Sequence, residues 1–349
     1  MKLHQIPFIM VTASFALAQP ESNAQTTVAT EPVGFVTTTI KASTLAGVPA
    51  TTPISPALLV LSGVTGSTTG QLSSVAASEV TVSTAGWTVS ELSNNYAYVL
   101  FKSGALNGLI LRVTANTATA ATLDTLGASL VTLGAAAGDS FQLVQGDTLL
   151  SMFGTTTDGV VGGTQTQYNA GQTDRVTTRD TTGTTRTYYY NTDSSQWRRV
   201  GSSSNQGAVP ISPLSGVFYS RIGNTAINQV STGNVPVAAV KFLVPTSGNT
   251  YFARYFPSDG TINNFGFQAL SGWKGTNTPG VTTTTADKVV TTDTSGVIRQ
   301  YYWNGTKWLR VGSSTDQGNV SVPVGGCVYI VRSGSGTPSL LNVALPYTL

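Results

Sequence analysis

The chain has 349 residues, among them 55 Thr, 37 Gly and 15 Pro; 40% are apolar, only 9% are charged, and the formal net charge is +3. That composition excludes a disordered chain, and Thr and Val punctuated by Gly and Pro favour half-buried strands. With His4 the one histidine and Cys327 the one cysteine, Ser-His-Asp and Cys-His sites, histidine or cysteine metal sites and a disulfide framework are excluded.

At the N-terminus, Met1-Lys2, the apolar residues 6–11 and the Ala-Leu-Ala of 16–18 have the layout of a signal peptide over residues 1–18. Cleavage after Ala18 fits the small-x-small rule, and Ala24 ends a second such site. The apolar run is far shorter than the ~20 residues a membrane span needs, and no later run is long enough, so the expectation is export to the extracellular space, cell surface or periplasm with no membrane span. No cluster of Lys and Arg denser than Arg198-Arg199 occurs, which argues against nucleic-acid binding.

Next comes an extended stretch, 33–40, with Lys41 as the single basic residue of 31–45. So little charge leaves a sheet edge undefended, and the expectation is a strand that pairs, either within its own domain or with another copy of the chain. Residues 62–146 are low in charge and rich in Ala, Thr and Ser, with strand patterns at 96–101, 109–114 and 140–144.

Residues 174–191 align without a gap on 287–304. After a two-residue deletion the match resumes, with Trp197, Arg199-Val-Gly-Ser-Ser203 and Gln206-Gly207 meeting Trp308, Arg310-Val-Gly-Ser-Ser314 and Gln317-Gly318. A weaker match joins 32–36 to 236–240 at an offset of 204. Since 204 exceeds the main offset of 113 by 91 residues, the first copy should carry an insertion of about that size. The expected fold is therefore all-β: two related antiparallel domains from an internal duplication, at 29–223 and 235–349, the first carrying a small β module at about 63–146. Cys327 reads as a buried strand position.

Within the second copy, 288–292, 297–303 and 307–311 read as a three-strand meander. Asn304-Gly305 is a strong hairpin signal. A two-residue turn there would pair Trp303 with Thr306, Tyr301 with Trp308 and Arg299 with Arg310. One face then carries Arg299, Tyr301, Trp303, Trp308 and Arg310, and the first copy repeats it as Arg186, Tyr188, Tyr190, Trp197 and Arg199. These ten residues are the candidate ligand face, rings stacking on a polysaccharide while guanidinium groups grip its carboxylates or sulfates. The competing reading is packing, each Arg lying over a ring with its head paired to Asp174, Asp180, Asp287 or Asp293.

The run Tyr301-Tyr-Trp-Asn-Gly-Thr-Lys-Trp-Leu-Arg-Val-Gly312, its partner at 188–201, the opening Glu31-Pro-Val-Gly-Phe-Val36, and Ser103-Gly-Ala-Leu-Asn-Gly108, Val113-Thr-Ala-Asn-Thr-Ala118 and Gly138-Asp-Ser-Phe141 together resemble an uncharacterised family of exported, β-rich bacterial proteins associated with Verrucomicrobia. The resemblance covers nearly the whole chain after the signal peptide. It implies export and β architecture, and it brings no activity, cofactor or catalytic residue.

Two Asp-Thr segments in related lobes suggest an aspartic protease, but Asp180-Thr-Thr-Gly183 and Asp293-Thr-Ser-Gly296 hold one residue too many before the glycine and suit hairpin turns instead. The sequence thus points to an exported, non-enzymatic structural or cell-surface protein that self-associates through β edges, with no cofactor, metal or catalytic residue assigned. The alternatives are a glycan-binding module using the Arg-aromatic faces and a glycan hydrolase working with carboxylates alone; Glu79, Glu91, Asp139 and Asp147, isolated among Gly and Ser, read instead as solvated surface or turn caps.

Overall fold

Alternating, Thr-rich strands separated by glycine turns build the chain from its start. In the computed structural model, residues 32–56, 59–169, 171–179, 184–293 and 295–348 are described; the signal peptide and Asp180 lie outside them. The first half opens with β1 (Val33–Ile40) and β2 (Ala50–Ile54). An inserted sheet follows, made of β3 (Leu59–Val60), β4 (Thr69–Gln71), β5 (Ser74–Val75), β6 (Glu79–Thr81), β7 (Tyr98–Phe101), β8 (Ile110–Asn116), β9 (Ala120–Leu123) and β10 (Ser140–Gln145), with short helices α1 (Glu91–Asn94) and α2 (Leu130–Leu133). The half closes with α3 (Leu149–Phe153), β11 (Arg175–Arg179), β12 (Thr185–Asn191), β13 (Gln196–Arg199), β14 (Val217–Arg221) and β15 (Ile227–Asn234).

The second half runs β16 (Val240–Val244), β17 (Ser247–Ala253), β18 (Gly260–Thr261), α4 (Ile262–Phe265), β19 (Lys288–Thr292), β20 (Ile298–Trp303), β21 (Trp308–Arg310), β22 (Ser321–Val322), β23 (Cys327–Ser333) and β24 (Ser339–Val343). The fold is all-β, and its strand ladders are antiparallel. The four short helices were not expected from the sequence; α3 and α4 each start at a Thr in a capping box, Thr148 with Ser151 and Thr261 with Asn264.

Two five-stranded sheets have the same order, β13-β12-β11-β14-β2 and β21-β20-β19-β23-β17. Their registers coincide residue for residue across the matched segments: Val176 faces Tyr188 and Tyr219 as Val289 faces Tyr301 and Ile330. Trp197 and Trp308 occupy the same place, opposite Tyr190 and Trp303. Each sheet is accompanied by a two-stranded ribbon, β1 with β15 and β16 with β24.

The edge-prone stretch 33–40 therefore finds its partner inside the chain, in an eight-residue ladder with β15. The ribbon's outer face keeps Val33, Phe35 and Val230 in solvent, Phe35 at 74% exposure.

The insertion leaves the first half after β2 and returns before α3. Its β7 reads as a continuous apolar run, and the reason is burial on both faces. Val99 and Phe101 enter the insert's own core, with Leu111 and Leu143. Tyr98 and Leu100, one residue out of phase, join Val144 in the core of the second half, beside Phe242, Phe252 and Val328. The insert is thus a wall shared with the second half, and residues 32–349 make one compact unit.

The two five-stranded sheets meet at β14 and β23. Phe218 packs edge-on against Tyr251 and Tyr329 at 5.8 and 5.5 Å, and the Cys327 thiol donates to the Val217 carbonyl at 3.3 Å. The approach is close enough that a Cβ on Gly216, which sits at φ +67°, would lie 2.4 Å from the Cys327 Cβ. Complete burial raises the Cys327 pKa well above that of a free thiol. Cys327 should accordingly resist a thiol reagent such as dithionitrobenzoate in the native protein and react within seconds once denaturant crosses the unfolding midpoint; rapid reaction in buffer alone would contradict this packing.

Candidate functional site

The ten residues of the Arg-aromatic faces are brought together as two sets, and the rings turn inward. Tyr188, Tyr190 and Trp197 belong to the core under the first sheet with Leu149 and Phe153 of α3. Tyr301 and Trp308 are buried in the core of the second half, and the half-buried Trp303 packs on Trp308 at 5.6 Å. Trp197 is 1% exposed and Trp308 0%, so neither ring offers a face to a sugar. Arg186, Arg199, Arg299 and Arg310 sit half-buried at the margins.

Register also differs from expectation. Asn304 opens a four-residue loop in which its Oδ1 accepts from the Thr306 and Lys307 N–H groups, so Trp303 faces Trp308 and Tyr301 faces Arg310. Arg299 and Arg310 are not opposed. Arg299 lies across from Thr291 and donates to Asp293 at 2.8 Å, as Arg186 lies across from Thr178. The shift is two residues, which leaves every side chain on its expected face.

Asp174 and Asp287 do not pair with those arginines. Each is fully buried and holds a different one. Asp174 accepts from Arg221 Nη1 at 2.7 Å, from the Tyr219 hydroxyl at 2.8 Å and from the Val161 and Ile222 N–H groups. Asp287 accepts from Arg332 Nε at 3.3 Å and from the Lys274 and Ser333 N–H groups. A buried charge pair survives only when its remaining lone pairs and protons are met, and here backbone groups meet them: Arg332 donates onward to the Pro245 and Ser271 carbonyls, Arg221 to those of Thr225 and Gly159. Burial, and after it the Asp174 charge, raises the Tyr219 phenol well above its usual pKa.

Six further acids hold loops. Glu91 accepts from Thr65 N–H, Asp139 from Ala136, Asp158 from Thr155, Asp193 from Gln165, Asp259 from Val324 and Asp316 from Gly318. Among the described residues no three His, Cys, Asp or Glu side chains gather as a metal site. No described helix is long and apolar enough to cross a membrane.

A cleft of about 230 Å³ lies where the insert, the first half and the second half meet. The second half supplies an apolar floor from Phe242, Leu243 and Phe252, and the first half adds Pro210 and Leu214. The insert contributes Ile110 and Leu126, and with them a polar rim. Arg112 on β8 pairs with Asp124 at 3.5 Å, both side chains partly exposed. The same Asp124 accepts from the Leu126 N–H, in a turn that places Leu126 at φ +52° with 45% exposure. Arg179 and the Tyr98 and Tyr251 rings complete the lining.

No family model, no curated protein and no solved structure matches the chain.

None of the cleft's polar groups was singled out from the sequence, because Arg112, Arg179 and Tyr251 lie on three strands separated by scores of residues. The second Asp–Arg pair had a legible signal: Val217-Phe-Tyr-Ser-Arg221 matches Val328-Tyr-Ile-Val-Arg332 at the same 111-residue offset that relates Trp197 to Trp308.

Burial first, and the neighbouring Tyr329 second, pushes the Tyr251 phenol from 10.0 up to about 12. The folded chain thus keeps a proton between pH 10 and 12 that the unfolded chain releases. Stability is complete below pH 10 and declines as the pH climbs to 12, by roughly 3 kcal/mol for this residue at 1.36 kcal/mol per unit. Urea melts across that range should show the decline, and Tyr251→Phe should remove that part of it; an unchanged slope in the variant would mean that Tyr251 does not carry it.

Proposed function

We propose that the chain is an exported, non-enzymatic structural or cell-surface protein descended from a duplicated β unit. The observation that carries this reading is the use made of its few acids: Asp174 and Asp287 anchor equivalent places in two like-ordered sheets, and Glu91, Asp139, Asp158, Asp193, Asp259 and Asp316 each tie down a loop by accepting from backbone N–H. Carboxylates committed to main-chain donors stabilise a shape. A glycosidase needs a pair of them facing a cleft. The signal-peptide pattern supports export, and the exposed Val33 and Phe35 of the β1–β15 ribbon supply apolar surface and strand edge for contact with other copies.

The test is location with activity. Protease shaving and fractionation of producing cells should place the protein outside the cytoplasm, and light scattering over a concentration series should show mass rising with concentration. Retention in the cytoplasm would overturn the surface reading, a constant monomer mass would overturn self-association, and glycan turnover abolished by one Asp or Glu substitution at unchanged melting temperature would overturn the non-enzymatic reading.

A further inference from the structure

We propose that a second, smaller cleft, between the β1–β15 ribbon and residues 254–257, binds a small oxyanion on the Arg254 guanidinium. The inference stands apart from the scaffold reading, since it needs neither export nor self-association. Three observations carry it.

The first is a buried charge without a counter-charge. Arg221, Arg254 and Arg332 are each only 3% exposed, and two of them, Arg221 and Arg332, hold the buried carboxylates of Asp174 and Asp287. Arg254 makes no ion pair among the described residues. Its Nε donates to the Ser258 carbonyl at 3.0 Å and its Nη2 to the Asp259 carbonyl at 3.0 Å and the Ser258 hydroxyl at 3.5 Å, while its guanidinium carbon lies 5.4 Å from the centroid of the Phe256 ring. The Asp259 carboxylate accepts from the Val324 N–H instead. Burial outweighs the opposing charges of Asp259 and Tyr347 and lowers the Arg254 pKa, as befits a cation short of a partner. Buried charges are ordinarily paired, so a guanidinium met only by carbonyls, a hydroxyl and a ring has room for an anion.

The second is a pair of free polar groups on one cleft. Arg254 Nη1 makes no hydrogen bond with a described residue, and it is not among the polar atoms sealed in the core. Arg254 is the one charged side chain of the cleft lining, which contains no Asp or Glu. Ser55 lines the same cleft; its N–H donates to the Gly325 carbonyl at 2.7 Å, and its hydroxyl makes no hydrogen bond among the described residues. An anion seated there would take a charge-assisted bond from the guanidinium and a second bond from the hydroxyl. The third is size and rigidity. At about 60 Å³ the cleft is several times the ~10 to 15 Å³ that one water requires, which is room for an anion of about five heavy atoms and too little for a sugar ring. Gly325, at φ +71°, brings the turn before β23 so close to β1 that a Cβ would collide with the Thr38 hydroxyl, and Pro56, Pro236 and Pro257 stiffen the backbone of the lining, so the site is formed before any ligand arrives.

The probes are inorganic sulfate, for tetrahedral oxyanions, and acetate, for carboxylates, each titrated calorimetrically into the full chain at an ionic strength held constant with sodium chloride. At least one of them should bind at a single site with millimolar or tighter affinity and raise the melting temperature along the same saturation curve, and the tighter of the two tells which kind of oxyanion the site prefers. Arg254→Met should weaken binding about tenfold or more, the loss expected of one charge-assisted hydrogen bond. If Arg254→Met does not fold, Ser55→Ala carries the test. It deletes a hydroxyl that makes no hydrogen bond in the fold, so the melt should stay unchanged while the affinity falls several-fold. No saturable binding of either anion up to ~10 mM, a rise in melting temperature that chloride reproduces, or an affinity unchanged by Arg254→Met, or by Ser55→Ala where the arginine variant does not fold, would each overturn the proposal.

Discussion

Asp287→Ala should lower the stability of the fold by about 3 to 5 kcal/mol, the range for stranding one partner of a buried ion pair. Arg332 is then left with two carbonyls and the Trp273 ring, whose centroid lies 5.8 Å from its guanidinium carbon, but with no counter-charge in contact among the described residues. The Lys274 and Ser333 N–H groups lose their acceptor at the same time. Asp174→Ala should cost at least as much, because Tyr219 donates to Asp174 as well while its counterpart Ile330 has no such group. Urea melts of both variants check this. A double-mutant cycle of Asp287→Ala with Arg332→Met should return a coupling above ~1 kcal/mol, and additive losses would mean that the pair contributes only through its separate hydrogen bonds.

Trp197→Ala and Trp308→Ala should each cost about 3 to 5 kcal/mol, as removal of a large, fully buried aromatic does. The informative comparison is with phenylalanine. The Trp197 indole N–H donates to the Gly154 carbonyl at 2.8 Å, whereas the Trp308 indole nitrogen is buried without a partner among the described residues. Trp197→Phe therefore leaves a carbonyl without its donor and should cost about 1 to 3 kcal/mol beyond the lost volume, while Trp308→Phe removes an unmet donor and should be the milder change. Thermal melts of the four variants decide it. An unchanged midpoint for Trp308→Ala would return the ring to the surface and revive the ligand-face reading.

Strand positions, the matched segments and the buried character of Cys327 were all legible in the sequence, because they depend on neighbours: the alternation of side chains, the turn residues, and the gapless match of 174–191 on 287–304. The hairpin around Asn304 was legible as a turn, but its register was not. A shift of two residues keeps the same side chains on the same face, so hydrophobic alternation cannot separate Trp303 opposite Thr306 from Trp303 opposite Trp308; the Asn304 side chain, by accepting from Thr306 and Lys307, chooses the longer loop. Alternation likewise assigns Tyr188, Tyr190 and Trp197 to one face without saying what covers it. Only the arrival of α3, with Leu149 and Phe153, makes that face a core and leaves the arginines at its margin. The Asp174–Arg221 and Asp287–Arg332 pairs close across 47 and 45 residues, and the cleft gathers side chains from three parts of the chain. Both are products of how the sheets and the insert pack together, since a charge pair or a cavity is set by distances in space that no local pattern records.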